Sequence, residues 1–172
     1  MNYFTPERYV AFNSPDAAVA DRADDEWERS IVAYRRHLKR IQPQLPAKVR
    51  QLATDICFHD AEYLGMSKIS IPGNAGDLAV LSVRHGGQVH VLTYLLVAEP
   101  LVSRPVEAAV FKADHPHWLY DEFDIDDSGT VTHHILISDG RVVSLRFVAF
   151  DLLTQLSNTA VPKKRRRAVA AV

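Results

Sequence analysis

The chain has 172 residues, of which 47% are hydrophobic and 24% charged, and its formal net charge is −1 at pH 7. These values are typical of one folded domain with a substantial core, and a net charge near zero gives no overall field that would attract nucleic acid or a membrane. Cys57 is the only cysteine, which excludes an internal disulfide and favours a reducing compartment. The N-terminal residues lack the basic region and following apolar run of a signal peptide. No apolar run approaches the roughly 20 residues of a membrane span. We therefore expect a cytoplasmic protein of bacterial type without membrane contact.

Capping residues predict two helices at the start of the chain. Thr5-Pro6-Glu7 suits the first turn of a short helix that ends near Asn13, because threonine caps free N–H groups and proline fits the first helical position. Ser14-Pro15-Asp16 repeats this pattern and begins a long helix to about Ile41. An apolar stripe at helical spacing indicates one buried face: Trp27, Ile31, Tyr34, Leu38 and Ile41.

The segment Gln42–Pro46 ends the long helix, and Pro46 can begin a third helix that extends to about Ile56. A short connection favours an antiparallel helix pair. The stripe of the long helix is also compatible with a coiled-coil seam, but it lasts only about two heptads, which favours packing within the chain.

From Ala61 the pattern changes to short strands separated by turn residues, which predicts an antiparallel meander rather than βαβ units. The segment Gln88–Val97 is apolar on both faces, and we place it at the centre of the sheet. We therefore predict an α+β fold, in which a long helix and a shorter antiparallel helix pack on a C-terminal antiparallel β-meander of about six or seven strands. The predicted strands are Ala61–Ile71, Leu78–Arg84, Gln88–Val97, Val106–Ala113, Trp118–Asp126, Thr130–Ser138 and Arg141–Phe150.

We assign residues 1–160 to a single α+β domain, with a helical part over 1–58 and a β part over 59–152. Residues 161–172 contain the basic cluster Lys163–Arg167 and are predicted to form a disordered tail. Such a cluster gives weak, sequence-independent attraction to a polyanion. We predict no other nucleic-acid binding.

The most detailed prediction concerns the last hairpin, where Asp139-Gly140 indicates a two-residue type I′ turn. Such a turn pairs Leu136 with Val143 and His133 with Arg146. If Ser128-Gly129 is a second two-residue turn, Asp124 pairs with His133, and one face of the sheet presents a polar row. This row consists of Asp124, His133 and Arg146. The opposite face is the predicted core, with Phe123, Leu136, Val143, Leu145 and Phe147.

Motifs for metal, cofactor and nucleophilic chemistry are absent. The segment Asp124–Gly129 resembles the start of a calcium loop, but Ile135 stands where that loop needs a bidentate glutamate, so a turn explains it better. His133 and His134 point to opposite faces of a strand and cannot chelate one ion together. The chain also has no nucleophile elbow, Walker loop or dinucleotide-binding glycine motif. We predict no metal and no cofactor, and these absences favour a protein that is not an enzyme.

Aromatic and acidic residues of one predicted strand form the first candidate binding surface. Tryptophan and tyrosine are enriched among the residues that dominate protein interfaces, so the segment Trp118–Phe123 and the polar row beside it are candidate contacts. The alternative is an ordinary strand with Leu119 or Phe123 in the core. The residues assigned to this surface are Trp118, Tyr120, Asp121, Glu122, Asp124, His133 and Arg146.

His59 and Asp60, at the predicted junction between helix and strand, form an alternative site. An adjacent histidine and aspartate can carry out acid–base chemistry. The structural alternative, which the pattern favours, is a helix end whose histidine binds the last free carbonyls.

Three stretches of the chain carry a family resemblance: Met1–Tyr9, His59–Ala61, and the run from Trp118–Glu122 to His133–Gly140. They resemble the signatures of an uncharacterised bacterial family, a domain of unknown function. That family brings no activity, so the resemblance assigns no catalytic residue. The β-rich half is also similar in style to small immunity proteins of bacterial toxin systems, which is a likeness of fold alone.

Three functional hypotheses follow. The first is a non-enzymatic module that binds a protein partner through the surface from Trp118 to Arg146, in its specific form an immunity or antitoxin protein. The second is a small enzyme or ligand-binding domain at His59, Asp60 and the histidines of the sheet. It requires a concave pocket that joins at least two of these side chains with carboxylates. The third is weak polyanion binding through Lys163–Arg167.

Overall fold

The computed structural model describes residues 1–73, 76–108, 110–111 and 114–156. Its helices are α1 (Pro6–Phe12), α2 (Ala17–Ile41) and α3 (Ala47–Asp55), with a 3-10 turn at Gln42–Gln44. Its strands are β1 (Glu62–Ile69), β2 (Leu78–His85), β3 (Gln88–Leu96), β4 (Leu101–Val102), β5 (Trp118–Ile125), β6 (Val131–Ile137) and β7 (Val142–Leu156). The strand pairings are antiparallel, which confirms the predicted α+β class.

Local capping chemistry explains where the first two helices begin. The Thr5 hydroxyl accepts a backbone N–H from the first turn of α1 at 3.3 Å, as the sequence predicts. Helix α2 begins after Asp16, whose carboxylate rather than the Ser14 hydroxyl accepts two N–H groups of the first turn. A negative charge suits this end of the helix dipole. The predicted stripe faces the protein, and Trp27 and Ile41 are buried.

The sheet consists of two antiparallel meanders that meet along the long strand β7. The strand order is β1-β2-β3-β7-β6-β5, and β4 also pairs with β7. A bulge between Phe147 and Ala149 bends β7, so that its first half pairs with β6 and its second half with β3. The sheet curls until His117, just before β5, forms a bridge with Glu62 at the start of β1. The result is a curled half-barrel with one concave and one convex side.

The concave side contains the hydrophobic core. Inward side chains of the strands meet the apolar side of α3 and the end of α2, and removal of this surface from water drives the folding of the half-barrel. The core includes Ile41, Leu45, Val49, Leu52, Phe58, Leu81, Leu92, Tyr94, Trp118, Phe123, Ile135, Leu145 and Phe147.

Helix α2 covers the outer edge of β5. The Tyr34 hydroxyl accepts the N–H of Phe123 at 2.9 Å, and Nε2 of His37 lies 3.2 Å from the Phe123 carbonyl oxygen. These two side chains occupy both main-chain groups that Phe123 would otherwise present to another strand. The edge of β5 is therefore protected at this position against pairing with a further strand.

The predicted register of the two C-terminal hairpins is wrong by one residue, because both turns contain three residues rather than two. The Gly140 N–H donates to the Ile137 carbonyl, and the Gly129 N–H donates to the Asp126 carbonyl, each at 2.9 Å. The φ angles of Gly140 and Gly129 are 84° and 81°, as in a type I turn that is followed by a left-handed residue and a bulge. A two-residue turn occurs instead at Gly86-Gly87, between the paired residues that end β2 and begin β3.

This shift moves His133 from the predicted surface into the core. His133 pairs with Phe123 and Leu145 instead of Asp124 and Arg146, and it is fully buried. The row that crosses the outer face consists of Asp124, Thr132 and Arg146.

Other sequence predictions also need correction. Leu136 is buried, but it pairs with Val142 on the face opposite Phe123, since the register has shifted. The described residues of the predicted strand Val106–Ala113 form no strand, and β4 lies earlier in the chain.

The predicted tail over 161–172, with Lys163–Arg167, lies outside the described residues. In the described part of the chain, no helix is long and apolar enough to cross a membrane.

Candidate functional site

A β-bulge in β5 determines which side chains of this strand reach the concave side. Leu119 is the extra residue, because its neighbours Trp118 and Tyr120 pair with consecutive residues of β6. Such a bulge reverses the alternation of side chains along a strand. Trp118 and Asp121 therefore point to the same side of the sheet and can contact each other.

Asp121 ends a hydrogen-bonded chain that begins in the core. The Tyr94 hydroxyl lies 3.1 Å from Nδ1 of His133, and Nε2 of His133 lies 3.1 Å from Oδ2 of Asp121. The indole N–H of Trp118 donates to Oδ1 of Asp121 at 3.3 Å. Tyr94, His133 and Trp118 are buried, whereas the Asp121 side chain is 31% exposed. The chain thus connects the interior with the surface through one carboxylate.

The positions of the protons in this chain follow from the donor and acceptor types. A carboxylate only accepts, so Nε2 of His133 donates to Asp121, and Nδ1 of His133 shares the next hydrogen bond with the Tyr94 hydroxyl. Burial, followed by the charge of Asp121, raises the pKa of Tyr94 well above its ordinary value of 10.0, which keeps this hydroxyl protonated. The ring of Phe123 stacks on His133 with the centroids 3.9 Å apart. Asp121 is therefore held by groups that are themselves fixed by packing.

Asp121 faces a pocket between α2, β5 and the loop that precedes β1. The cavity has a volume of about 350 Å³. Its apolar and aromatic lining includes Phe4, Tyr34, Leu38, Phe58 and Tyr120, and its polar lining includes Arg35, His59 and Asp121. A concave apolar cavity of this size with a few polar groups is typical of small-molecule sites.

The predicted pair His59 and Asp60 lies at this pocket. His59 lines the cavity, and its Nδ1 lies 2.9 Å from Oδ2 of Asp60. The His59 ring meets the Tyr120 ring edge to face, with the centroids 5.0 Å apart. Asp60 has a φ angle of 64°, and its N–H donates to the Trp118 carbonyl at 2.8 Å. The pair therefore belongs to a tight connection bound to β5, not to a helix end, since α3 ends at Asp55.

The pocket joins parts of both predicted sites. His59 and Asp121 line the same cavity. The exposed Asp60 contacts His59 from the surface, and the buried His133 contacts Asp121 from behind. The lining itself therefore contains one histidine and one carboxylate, and Asp60 and His133 lie outside it, so the arrangement that the second functional hypothesis requires is present only in part.

The other residues of the first predicted surface do not share one exposed patch. Trp118 and His133 are buried because the bulge and the shifted register turn them toward the concave side, and Glu122 is buried beneath the N-terminal segment. Asp124 and Arg146 are exposed on the outer face.

Glu122 holds the N-terminal segment against β5. Its carboxylate accepts the N–H of Asn2 at 2.7 Å and those of Tyr3 and Phe4 at 2.6 Å each. This places Phe4 on the Tyr120 ring, with the centroids 5.3 Å apart. Glu122 therefore supports one wall of the pocket without lining it.

Sequence reasoning missed most of the lining and the buried partner of His133, among them Tyr34, Phe58 and Tyr94. A signal exists for Tyr94, because it alternates with Leu92 and Leu96 in β3, and a buried tyrosine hydroxyl needs a polar partner. Tyr34 lies in the predicted stripe, where packing is its simplest role. The position of Phe58 depends on the path of the loop before β1, for which the sequence contains no local signal.

No protein-family model matches this chain, and no curated protein matches it. The resemblance to an uncharacterised bacterial family and the likeness to toxin-immunity proteins stay predictions. Among the residues that the structure describes, no group of three or more histidine, cysteine, aspartate or glutamate side chains is placed to hold a metal ion.

Proposed function

We propose that this protein binds a small molecule that combines an apolar body with a cationic head group, such as a primary amine. The observation that carries the proposal is the placement of Asp121. Its partly exposed carboxylate lines an aromatic pocket and is held from behind by His133 and Trp118. A fixed charge at the wall of an apolar cavity is the arrangement by which proteins orient a ligand.

Asp121 has unused capacity to accept hydrogen bonds. Among the residues that the structure describes, each of its carboxylate oxygens accepts one hydrogen bond, from His133 and from Trp118. A carboxylate offers about four acceptor positions. A ligand N–H can therefore bind to Asp121 while both internal hydrogen bonds remain in place.

Charge and aromatic surface both favour a cation over an anion. Asp121 contributes one carboxylate and Arg35 one guanidinium to the lining, and the carboxylate of Asp60, which contacts His59, adds a second negative charge nearby. The faces of aromatic rings carry negative electrostatic potential and attract a nearby ammonium group. An anionic ligand in the same place would meet the charge of Asp121.

The geometry supports a ligand-binding function more directly than a protein-interaction function. A protein partner would contact little of Trp118, which is 1% exposed, or of His133, which is fully buried. A protein-interaction function, including an immunity or antitoxin role, stays a prediction, as does polyanion binding through Lys163–Arg167.

The test is a ligand-observed NMR titration with three probes that share a phenyl ring and differ in head group: phenethylamine, 2-phenylethanol and 3-phenylpropionate. We expect phenethylamine to bind with a Kd on the order of 1 mM, which is typical of a ligand of about nine heavy atoms. The alcohol should bind more weakly, and the carboxylate most weakly. Equal binding of the three probes contradicts a cation site.

The variant Asp121→Asn isolates the charge, because the amide can keep both internal contacts. Its N–H₂ can donate to Nε2 of His133, whose proton then moves to Nδ1 and donates to Tyr94, and its carbonyl can accept from Trp118. We expect this variant to bind phenethylamine about tenfold more weakly and the alcohol unchanged. The matched control is Asp124→Asn, on the same strand but outside the pocket lining, which should bind all three probes like the wild type. Unchanged amine binding by Asp121→Asn contradicts the proposal.

A further inference from the structure

The pocket that contains Asp121 also has a cation on a second wall. Arg35 lines the cavity from α2, whereas Asp121 lines it from β5. Ile31, Tyr34 and Leu38 line the same cavity from α2, because residues three or four positions apart lie on one side of a helix. Arg35 therefore belongs to the pocket wall by the periodicity of α2, although the residue is exposed.

Arg35 and Asp121 share the cavity without pairing with each other. Among the described residues, no ion pair joins them, and Arg35 forms none with another carboxylate. Burial, followed by the charge of Asp121, raises the pKa of Tyr34, the residue before Arg35, above its ordinary value of 10.0. The carboxylate thus acts on the α2 wall without direct contact with the guanidinium. Two separated charges of opposite sign can orient a ligand head group that carries both.

We propose that the ligand is a free α-amino acid with an aromatic side chain, whose ammonium group binds Asp121 and whose carboxylate binds Arg35. This inference rests on the amine site proposed above and adds a second charged contact to it. A guanidinium binds both oxygens of a carboxylate through two parallel hydrogen bonds. Because an α-amino acid carries both charges, neither charge of the pocket is covered without a counter-charge.

The aromatic lining favours an aromatic side chain over an aliphatic one. The ring of Phe4 meets the Tyr34 ring edge to face, with the centroids 5.4 Å apart, and stacks on the Tyr120 ring. These three rings and that of Phe58 line the cavity. A ligand ring at similar distances gains from the attraction between aromatic quadrupoles as well as from the removal of apolar surface from water.

The size of the cavity fits one amino acid rather than a peptide. Its volume of about 350 Å³ is at the lower end of the range for small-molecule sites. In a longer peptide, the carbonyl group next to the terminal ammonium belongs to an uncharged amide. Such a ligand would leave Arg35 without a counter-charge, so a free amino acid matches the pair of charges better.

Ligand-observed NMR titrations with four related probes test this inference: L-phenylalanine, L-phenylalaninol, L-leucine and phenethylamine. L-Phenylalaninol has an alcohol in place of the carboxylate and keeps the ammonium group and the ring. We expect L-phenylalanine to bind about tenfold more tightly than L-phenylalaninol, because its carboxylate adds a charge-assisted contact with Arg35. L-Leucine, which keeps both charges but has no ring, should bind several-fold more weakly than L-phenylalanine.

The variant Arg35→Gln isolates the second contact, because it removes the guanidinium charge from an exposed position of the helix. We expect it to bind L-phenylalanine about tenfold more weakly, and phenethylamine at least as tightly as the wild type. Arg35→Lys keeps the charge without the planar fork and should recover part of the affinity. The matched control Arg36→Gln removes the same charge from the next residue, outside the pocket lining, and should bind L-phenylalanine like the wild type.

The outcomes separate this inference from the amine site itself. If phenethylamine binds through Asp121 but L-phenylalanine binds no more tightly than L-phenylalaninol, the amino-acid ligand is contradicted and the amine site stands. This comparison needs no variant. Unchanged binding of L-phenylalanine by Arg35→Gln, with its fold verified by circular dichroism, contradicts the inference as well. Equal binding of L-leucine and L-phenylalanine contradicts the aromatic side chain, and a wild type that binds none of the probes contradicts both proposals.

Discussion

A single carboxylate, that of Asp121, connects the interior of this protein with its surface. The sequence singles it out as part of an aromatic and acidic strand, and the structure places it in a pocket for a different reason. The bulge at Leu119 turns it inward, and the shifted register gives it His133 as a partner. A carboxylate that combines internal hydrogen bonds with partial exposure in a cavity is a common feature of binding sites.

Gly129 and Gly140 occupy equivalent turns, and replacing each by alanine gives a prediction for the free energy of unfolding. A Cβ on Gly140 would lie 2.7 Å from the carbonyl oxygen of Val106, whereas a Cβ on Gly129 would meet no atom within 4 Å. Both have a left-handed backbone, which costs an alanine about 1 kcal/mol. We expect Gly129→Ala to lose about 1 kcal/mol of unfolding free energy, and Gly140→Ala to lose about 3 kcal/mol, because the overlap adds to the backbone cost. Urea unfolding measures both, and equal losses would show that the Val106 segment moves freely out of the way.

His134 gives a prediction for the dependence of stability on pH. Burial, followed by the N-terminal ammonium and His133, lowers the pKa of His134 from 6.5 to about 4. Because the folded state resists protonation, the contribution of His134 to stability is complete above pH 6.5 and declines as the pH falls from 6.5 to about 4. Three carboxyl groups with a lowered pKa contribute in a different window, below their ordinary value of 3.8: Asp77, Asp126 and Asp151.

We expect His134→Gln to flatten the decline of unfolding free energy between pH 6.5 and pH 4. The His134 ring is partly exposed, so solvent screening weakens its effect. The change of unfolding free energy with pH that it causes therefore stays below the limit of about 1.4 kcal/mol per pH unit for one proton. His90, whose pKa is lowered by burial, acts in the same direction. The unfolding free energy of the double variant His90→Gln/His134→Gln should therefore change even less with pH over this range. If the unfolding free energy of His134→Gln declined with pH as steeply as that of the wild type, the decline could not be assigned to His134.

At the scale of elements, predictions that depend on local chemistry succeed. The cap at Thr5, the stripe of α2 and the central place of β3 each follow from neighbouring residues. The register of the last hairpins fails, because Asp139-Gly140 is compatible with a two-residue and a three-residue turn. One residue of difference then reverses the face of every side chain in β6. The pocket is outside the reach of sequence reasoning for a further reason, since Phe4, Tyr34 and Phe58 meet there only after the chain has folded.

The attachment of the N-terminal segment to β5 can be tested with Glu122→Gln. The amide keeps the shape of the side chain but loses the charge and one acceptor that bind the N–H groups of Asn2, Tyr3 and Phe4. We expect a loss of about 2 kcal/mol in unfolding free energy, with the amide resonances of residues 2–4 shifted toward random-coil values. The control Glu7→Gln changes an exposed carboxylate on α1 and should change neither quantity. Unchanged resonances in Glu122→Gln would show that the carboxylate does not hold this segment.

At the scale of the whole molecule, the curl of the sheet separates three surfaces. The concave side is filled by the core, the edge at β5 supports the pocket, and the convex side carries the outward side chains of β1, β2, β3 and the second half of β7. Because Val91 lies on the convex side of the sheet and outside the pocket lining, we expect Val91→Lys to bind phenethylamine like the wild type. The same titration that tests the pocket therefore also tests whether the two surfaces are independent.

The indole region of the nitrogen-15 NMR spectrum tests the pocket most directly. The chain has two tryptophans, Trp27 and Trp118, and the Trp118 indole N–H donates to the carboxylate that we assign to the ligand. We expect phenethylamine to shift the Trp118 indole resonance in a saturable manner in the wild type, and to require about tenfold higher concentrations for half of the maximal shift in Asp121→Asn. A Trp118 resonance that stays in place while the amine saturates the wild-type protein would contradict the assignment of Asp121 as the cation-binding group.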